Sequence, residues 1–124
     1  MPRHLLDEAQ LHPAIRNKIE TNRRDIVDEV ISATEKSPVV VVGMAHNPHC
    51  YKVRNHLNAA SVEFTYLEYG NYLTEWRRRN ALKMWTGWPT FPMVFIHGNL
   101  VGGAADVAAL ISSGELPGLI SKSN

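Results

Sequence analysis

Pro38-Val39-Val40-Val41-Val42-Gly43-Met44-Ala45-His46-Asn47-Pro48-His49-Cys50 is the stretch whose reading decides the fold. Its first half is a continuous β-branched run, too short for a helix and apolar on both faces. That pattern predicts a central strand buried by helices on each side. Its second half ends in Asn47-Pro48, an N-cap followed by a proline at the first helical position, which opens a helix through about residue 60. Val53 and Leu57 form that helix's apolar face. The junction of strand and helix thus places Cys50 near a positive dipole end, whose unpaired N–H groups stabilise a thiolate.

Working downstream, Val62 to Glu68 alternates apolar and polar residues and reads as a strand. A helix is expected from about Leu73 to Trp85, amphipathic through Leu73, Trp76, Leu82 and Trp85. Pro92 to Ile96 reads as a third strand, with Gly98-Asn99 as a tight turn into Leu100 and Val101. Gly102-Gly103 ends that strand, and a helix from about Ala104 to Ser113 carries Val107, Leu110 and Ile111 inward. Upstream, Pro13-Ala14-Ile15 with Lys18-Ile19 predicts a short helix. Ile26, Val27, Val30, Ile31 and Ala33 predict a second one, which Ser37-Pro38 stops because a residue before proline leaves the helical region. The strand–helix–strand unit makes its two strands parallel, and the hairpin makes the last two antiparallel. Packing such a four-stranded mixed sheet between helices is the economical solution.

Composition narrows the function. The 124 residues are 44% hydrophobic and 20% charged, which suits one soluble globular domain. A net charge of +1 makes no electrostatic case for nucleic acid or an anionic membrane. The apolar runs are far too short for a membrane span, and the N-terminus lacks the apolar stretch of an export signal. A single cysteine excludes an internal disulfide and a Cys-rich zinc module, and fits a reducing, cytoplasmic location.

At Asn47 to Cys50 the sequence resembles the glutaredoxin family of the thioredoxin fold, over roughly residues 38 to 120. The resemblance is carried in order by the strand–loop–Asn47-Pro48-His49-Cys50–helix junction, by Arg79 with Lys83 ahead of Trp88-Pro89-Thr90-Phe91-Pro92, by the hairpin, and by Gly102-Gly103-Ala104-Ala105-Asp106 followed by Ser113-Gly114-Glu115-Leu116. The Trp-Pro-Thr-Phe-Pro string is most similar to the monothiol branch. It implies an α/β, thioredoxin-like domain over residues 37–124, preceded by an N-terminal helical extension over residues 1–36.

The same resemblance implies glutathione as co-substrate and glutathionylated or client proteins as partners. Ungapped alignment puts Asn47 at the family's nucleophilic cysteine and Cys50 at the resolving position; a gapped one would make Cys50 the nucleophile. Asn47 keeps the capping role, and Met44 stands where the family usually has a lysine favouring the thiolate. On the glutathione side, Phe91-Pro92 matches the family's cis-proline dipeptide. Arg79 matches the arginine that meets the glycine carboxylate. Gly102, Gly103 and Asp106 match the helix start that holds the γ-glutamyl group. Arg77 and Arg78 read as solvated, and Trp76, Trp85 and Trp88 as packing residues.

Three functions follow from the resemblance. The first is a monothiol, glutathione-dependent thiol–disulfide oxidoreductase acting through Cys50. The alternatives are a catalytically degenerate module that binds glutathione or a partner, and a dimer bridging a [2Fe–2S] cluster through Cys50 and glutathione. His46, His49 and Cys50, with His97, match no zinc spacing, so no metal site is expected. Ile26, Val27, Val30 and Ile31 are expected to dock on the domain, leaving residues 1–22 for a partner or dimer contact.

Overall fold

The computed structural model describes residues 3–21 and 23–121; the parts of the expected extension and domain at residues 1, 2, 22 and 122–124 lie outside them. A 3₁₀ turn, Glu8–Gln10, precedes helices α1 (Pro13–Glu20) and α2 (Arg24–Lys36). Then come β1 (Val39–Gly43), α3 (Pro48–Ala59), β2 (Thr65–Glu68), α4 (Trp76–Thr86), β3 (Met93–Ile96), β4 (Asn99–Gly102), α5 (Ala104–Ser113) and α6 (Leu116–Ser121). The sheet order is β2-β1-β3-β4, with β1 parallel to β2 and antiparallel to β3, and β3 antiparallel to β4.

The valine run behaves as its pattern requires. All five residues of β1 are buried, and successive side chains enter opposite layers. Val40 and Val42 meet Ile26 and Val30 of α2, Leu82 of α4, and Met93 and Phe95 of β3. Val39 and Val41 meet Val53 and Leu57 of α3, Val94 and Ile96 of β3, Val107 of α5 and Leu116 of α6. Helix α2 therefore forms one wall of the core. Ile26 and Val30 are fully buried, and Val27 packs against the same cluster, while Ile31 stays half-buried.

Several element boundaries differ from the sequence reading. Helix α4 begins at Trp76 because the Asn71 side chain accepts from the Leu73 and Thr74 N–H groups at 2.8 and 3.1 Å. This local turn competes with the helix and leaves Leu73 89% exposed. Of the expected apolar face of α4 only Leu82 is buried; Trp76 and Trp85 are 53% and 37% exposed, so Trp76 is no core residue. Strand β2 begins at Thr65, since the Val62 N–H goes to the Leu57 carbonyl at 2.9 Å and the Ser61 N–H to Asn58 at 3.0 Å. Those two bonds close α3 as a Schellman motif, with Ser61 in the left-handed region. The hairpin turn is His97-Gly98 rather than Gly98-Asn99. Both residues have positive φ, as a type I′ turn demands, and Asn99 is already paired with Ile96. Helix α6 was not anticipated; the His97 ring Nε2 lies 2.6 Å from the Ile120 carbonyl, so that nitrogen carries the proton and donates.

Candidate functional site

The site is built where the C-terminal end of β1 and the N-terminal end of β3 meet the start of α3. Asn47 caps α3: its Oδ1 accepts from the His49 and Cys50 N–H groups at 2.9 and 3.1 Å. Its amide Nδ2 donates to the Tyr72 hydroxyl at 3.4 Å. The two helix amides nearest the junction are therefore already satisfied by the protein's own side chain.

Cys50 sits in the first turn of α3 and turns inward. It is 2% exposed and belongs to the core cluster with Met44 and Phe91. Its Sγ crowds Gly43, where a Cβ would come within 2.9 Å of the sulfur and 3.0 Å of the Tyr66 hydroxyl. Only glycine fits there. Burial pushes the Cys50 thiol above its ordinary value, the nearby Glu68 adds to this, and a Met44 backbone hydrogen bond and Arg54 partly oppose it. A thiol in this setting is a packing group.

A groove of about 250 Å³ lies on the outer side of the same junction, lined by His49, by the segment through Trp88, Thr90, Phe91 and Pro92, and by residues 103–106. The Phe91–Pro92 peptide is cis. At the other wall the Asp106 carboxylate accepts from the Gly103 N–H at 2.9 Å. Gly102, with φ +116°, passes so close to that carboxylate that a Cβ would collide with it. The Trp88 indole N–H, beside Gly103, is buried without a hydrogen-bond partner among the described residues.

The expected site residues therefore separate into two sets. Phe91, Pro92, Gly103 and Asp106 meet in the groove, while Gly102 supports it from the end of β4. Cys50 and Asn47 do not line it, and neither does Arg79. Arg79 is only 7% exposed, and its Nη1 donates to the Tyr69 and Thr74 carbonyls at 2.9 and 2.5 Å. Burial works against its charge, and Glu75 and Tyr72 favour it. Through these two bonds the guanidinium closes the loop before α4. The cation beside the groove is Lys83, whose Nζ stands 5.8 Å from the Phe91 ring centroid. His49, Trp88 and Thr90 also belong to the groove. The sequence tests His49 as a metal ligand and reads Trp88 as a packing residue, although both lie inside the motifs that carry the resemblance. Among the described residues, no three or more His, Cys, Asp and Glu side chains gather to hold a metal ion.

The fold that carries this arrangement is shared with known proteins. The glutaredoxin family model matches residues 39–101. The chain belongs to the glutaredoxin family. It is 44% identical to a glutaredoxin-like protein of Dictyostelium discoideum over 102 residues, covering 82% of this chain and 83% of that one. It is 43% identical over 60 residues to a probable monothiol glutaredoxin 2 of Rickettsia typhi, covering 48% and 51%. Among solved structures, oxidized glutaredoxin 2 from Chlamydomonas reinhardtii superimposes with a TM-score of 0.69 at 31% identity, over 80% of this chain and 94% of that one. A buckwheat glutaredoxin–glutathione complex shares the fold, with a TM-score of 0.71 at 23% identity over 82% and 93%. This is a glutaredoxin-like protein of the redox family, with the four-stranded thioredoxin-like sheet. No helix among the described residues is long and apolar enough to cross a membrane.

Proposed function

We propose that this glutaredoxin-like protein binds glutathione in the groove between residues 88–92 and 103–106 without using Cys50 as a nucleophile. The observation that carries this reading is the burial of Cys50 against Gly43 and Tyr66 while Asn47 fills the helix start. Family membership supports glutathione as the ligand. So does the unmet Trp88 N–H in the groove wall, since a buried donor without a partner is costly and calls for one. In this reading the start of α5 holds the γ-glutamyl end, the edge at Phe91-Pro92 holds the central cysteine, and Lys83 meets the glycine carboxylate. Asp106 spends one carboxylate oxygen on Gly103 and keeps the other for the ligand's amino group.

A bridging [2Fe–2S] cluster does not fit these residues, because its thiolate would have to come from a sulfur packed into the core rather than facing the groove. Monothiol exchange through Cys50 meets the same obstacle. One experiment decides between binding and exchange: calorimetric titration with glutathione, run alongside glutathione-coupled reduction of a mixed disulfide, for wild type and Cys50→Ser. Binding in both proteins with background turnover in both is expected. Turnover in the wild type that vanishes in the variant would replace this reading with the monothiol oxidoreductase.

A further inference from the structure

We propose that His49 moves the proton of the bound glutathione thiol, and that the chain conjugates glutathione to apolar electrophiles; this rests on the glutathione-binding reading above. With no protein sulfur in the groove, the tripeptide's own thiol is the nucleophile available there. The backbone cannot activate it, because Asn47 Oδ1 already takes the His49 and Cys50 N–H groups. Two titratable side chains line the groove, His49 and Asp106. The Asp106 carboxylate is engaged with the Gly103 N–H at the start of α5, and Lys83, with its Nζ 5.8 Å from the Phe91 ring centroid, stands at the groove's edge rather than in its lining. His49 is thus the groove's proton acceptor on the α3 side, and imidazole is the side chain suited to move a proton near neutral pH. It is also exposed, so a sulfur beside it stays open to a second reactant. The walls offered by Trp88, Phe91, Pro92 and Ala104 are apolar and suit an aromatic electrophile.

The step balances without an oxidant or reductant. The S–H bond of glutathione breaks as its proton passes to the neutral His49 imidazole. The sulfur's electron pair forms an S–C bond to the ring carbon of an activated aryl chloride. Chloride leaves with the C–Cl electron pair, and the imidazolium returns its proton to solvent.

The test uses the full chain with glutathione and 1-chloro-2,4-dinitrobenzene, following thioether formation, with glutathione affinity measured by calorimetry on each protein. Wild type is expected to bind glutathione and to form thioether faster than the protein-free mixture. His49→Ala should keep the affinity within about 3-fold while losing roughly 10²-fold in rate over background. His49→Gln, which hydrogen-bonds but takes no proton, should fail to restore it. A wild type that binds glutathione yet shows no rate above solution overturns the conjugation inference alone. Full rate in either variant overturns the role of His49. A wild type that does not bind glutathione overturns the underlying reading instead.

Discussion

Asn47 does with a side-chain carbonyl what a thiolate would otherwise do at the start of α3. Asn47→Ala should destabilise the fold by about 1 kcal/mol in urea denaturation, the usual loss for a cap. Asn47→Cys instead frees the two amides and puts a thiol beside the groove. At least a ten-fold gain in mixed-disulfide reduction over wild type is expected in the coupled assay, and none would mean that the groove lacks more than the nucleophile. Lys83 and Arg79 make a second contrast. Lys83→Ala should weaken glutathione binding several-fold with Tm unchanged. Arg79→Ala should lower Tm, leaving two carbonyls unpaired at a cost of about 1–3 kcal/mol each. Cys50 gives a pH signature. Burial holds its folded value above the ordinary 9.0, so the unfolded thiol ionises first. Stability is therefore full below about pH 9 and falls as pH rises from there toward the folded value. Tyr66 and Tyr69, raised above 10.0 chiefly by burial, steepen the fall further up. Urea midpoints should show Cys50→Ala flattening the part of the curve that starts near pH 9; an unchanged slope would refute it. The cap was legible because Asn-Pro before a helix is a local signal. The place of Arg79 was not, because its partners are carbonyls of a loop whose path no local pattern dictates.

At the level of elements, α2 and α4 are joined by a cluster that sequence spacing does not reveal. Arg78 lies within 3.5 and 3.8 Å of Asp25 and Glu29 on α2, and within 2.8 Å of Glu75 ahead of its own helix. The Tyr69 hydroxyl donates to Glu29 at 2.6 Å, and the Arg78 guanidinium stands 5.4 Å from the Tyr69 ring centroid. From the sequence Arg78 reads as a solvated arginine, which it would be were α2 elsewhere. Its carboxylate partners are half exposed or nearly so, and Arg78→Ala should cost about 1 kcal/mol or less, shrinking in high salt. A loss that salt does not change would show that the contact is packing rather than charge. The strands were legible to within a few residues, because alternation and β-branching act locally. Where the boundaries moved, at Leu73, Val62 and Asn99, a specific backbone bond or positive φ had taken over from the hydrophobic pattern.

Over the whole molecule, the sheet's two layers were legible from the valine run, and the docking of α2 from the spacing of Ile26, Val27 and Val30. Seen along the chain it precedes the family's strand; in the fold it covers Val40 and Val42. A chain beginning at residue 24 should therefore fold with nearly wild-type Tm, whereas one beginning at residue 37 should lose its cooperative transition. Ile26→Ala, at a fully buried position, should cost about 2–5 kcal/mol. A truncation at residue 37 that still unfolds cooperatively would show that the layer is dispensable. The packing of Cys50 has a different consequence, for survival under oxidants. Susceptibility to sulfenic and higher sulfur acids follows thiolate character and exposure, and this sulfur has little of either. If the groove takes its thiol from a bound tripeptide, as proposed, that thiol is renewed with each ligand that binds. Peroxide that would spend an exposed active-site cysteine should then leave this protein's activity intact.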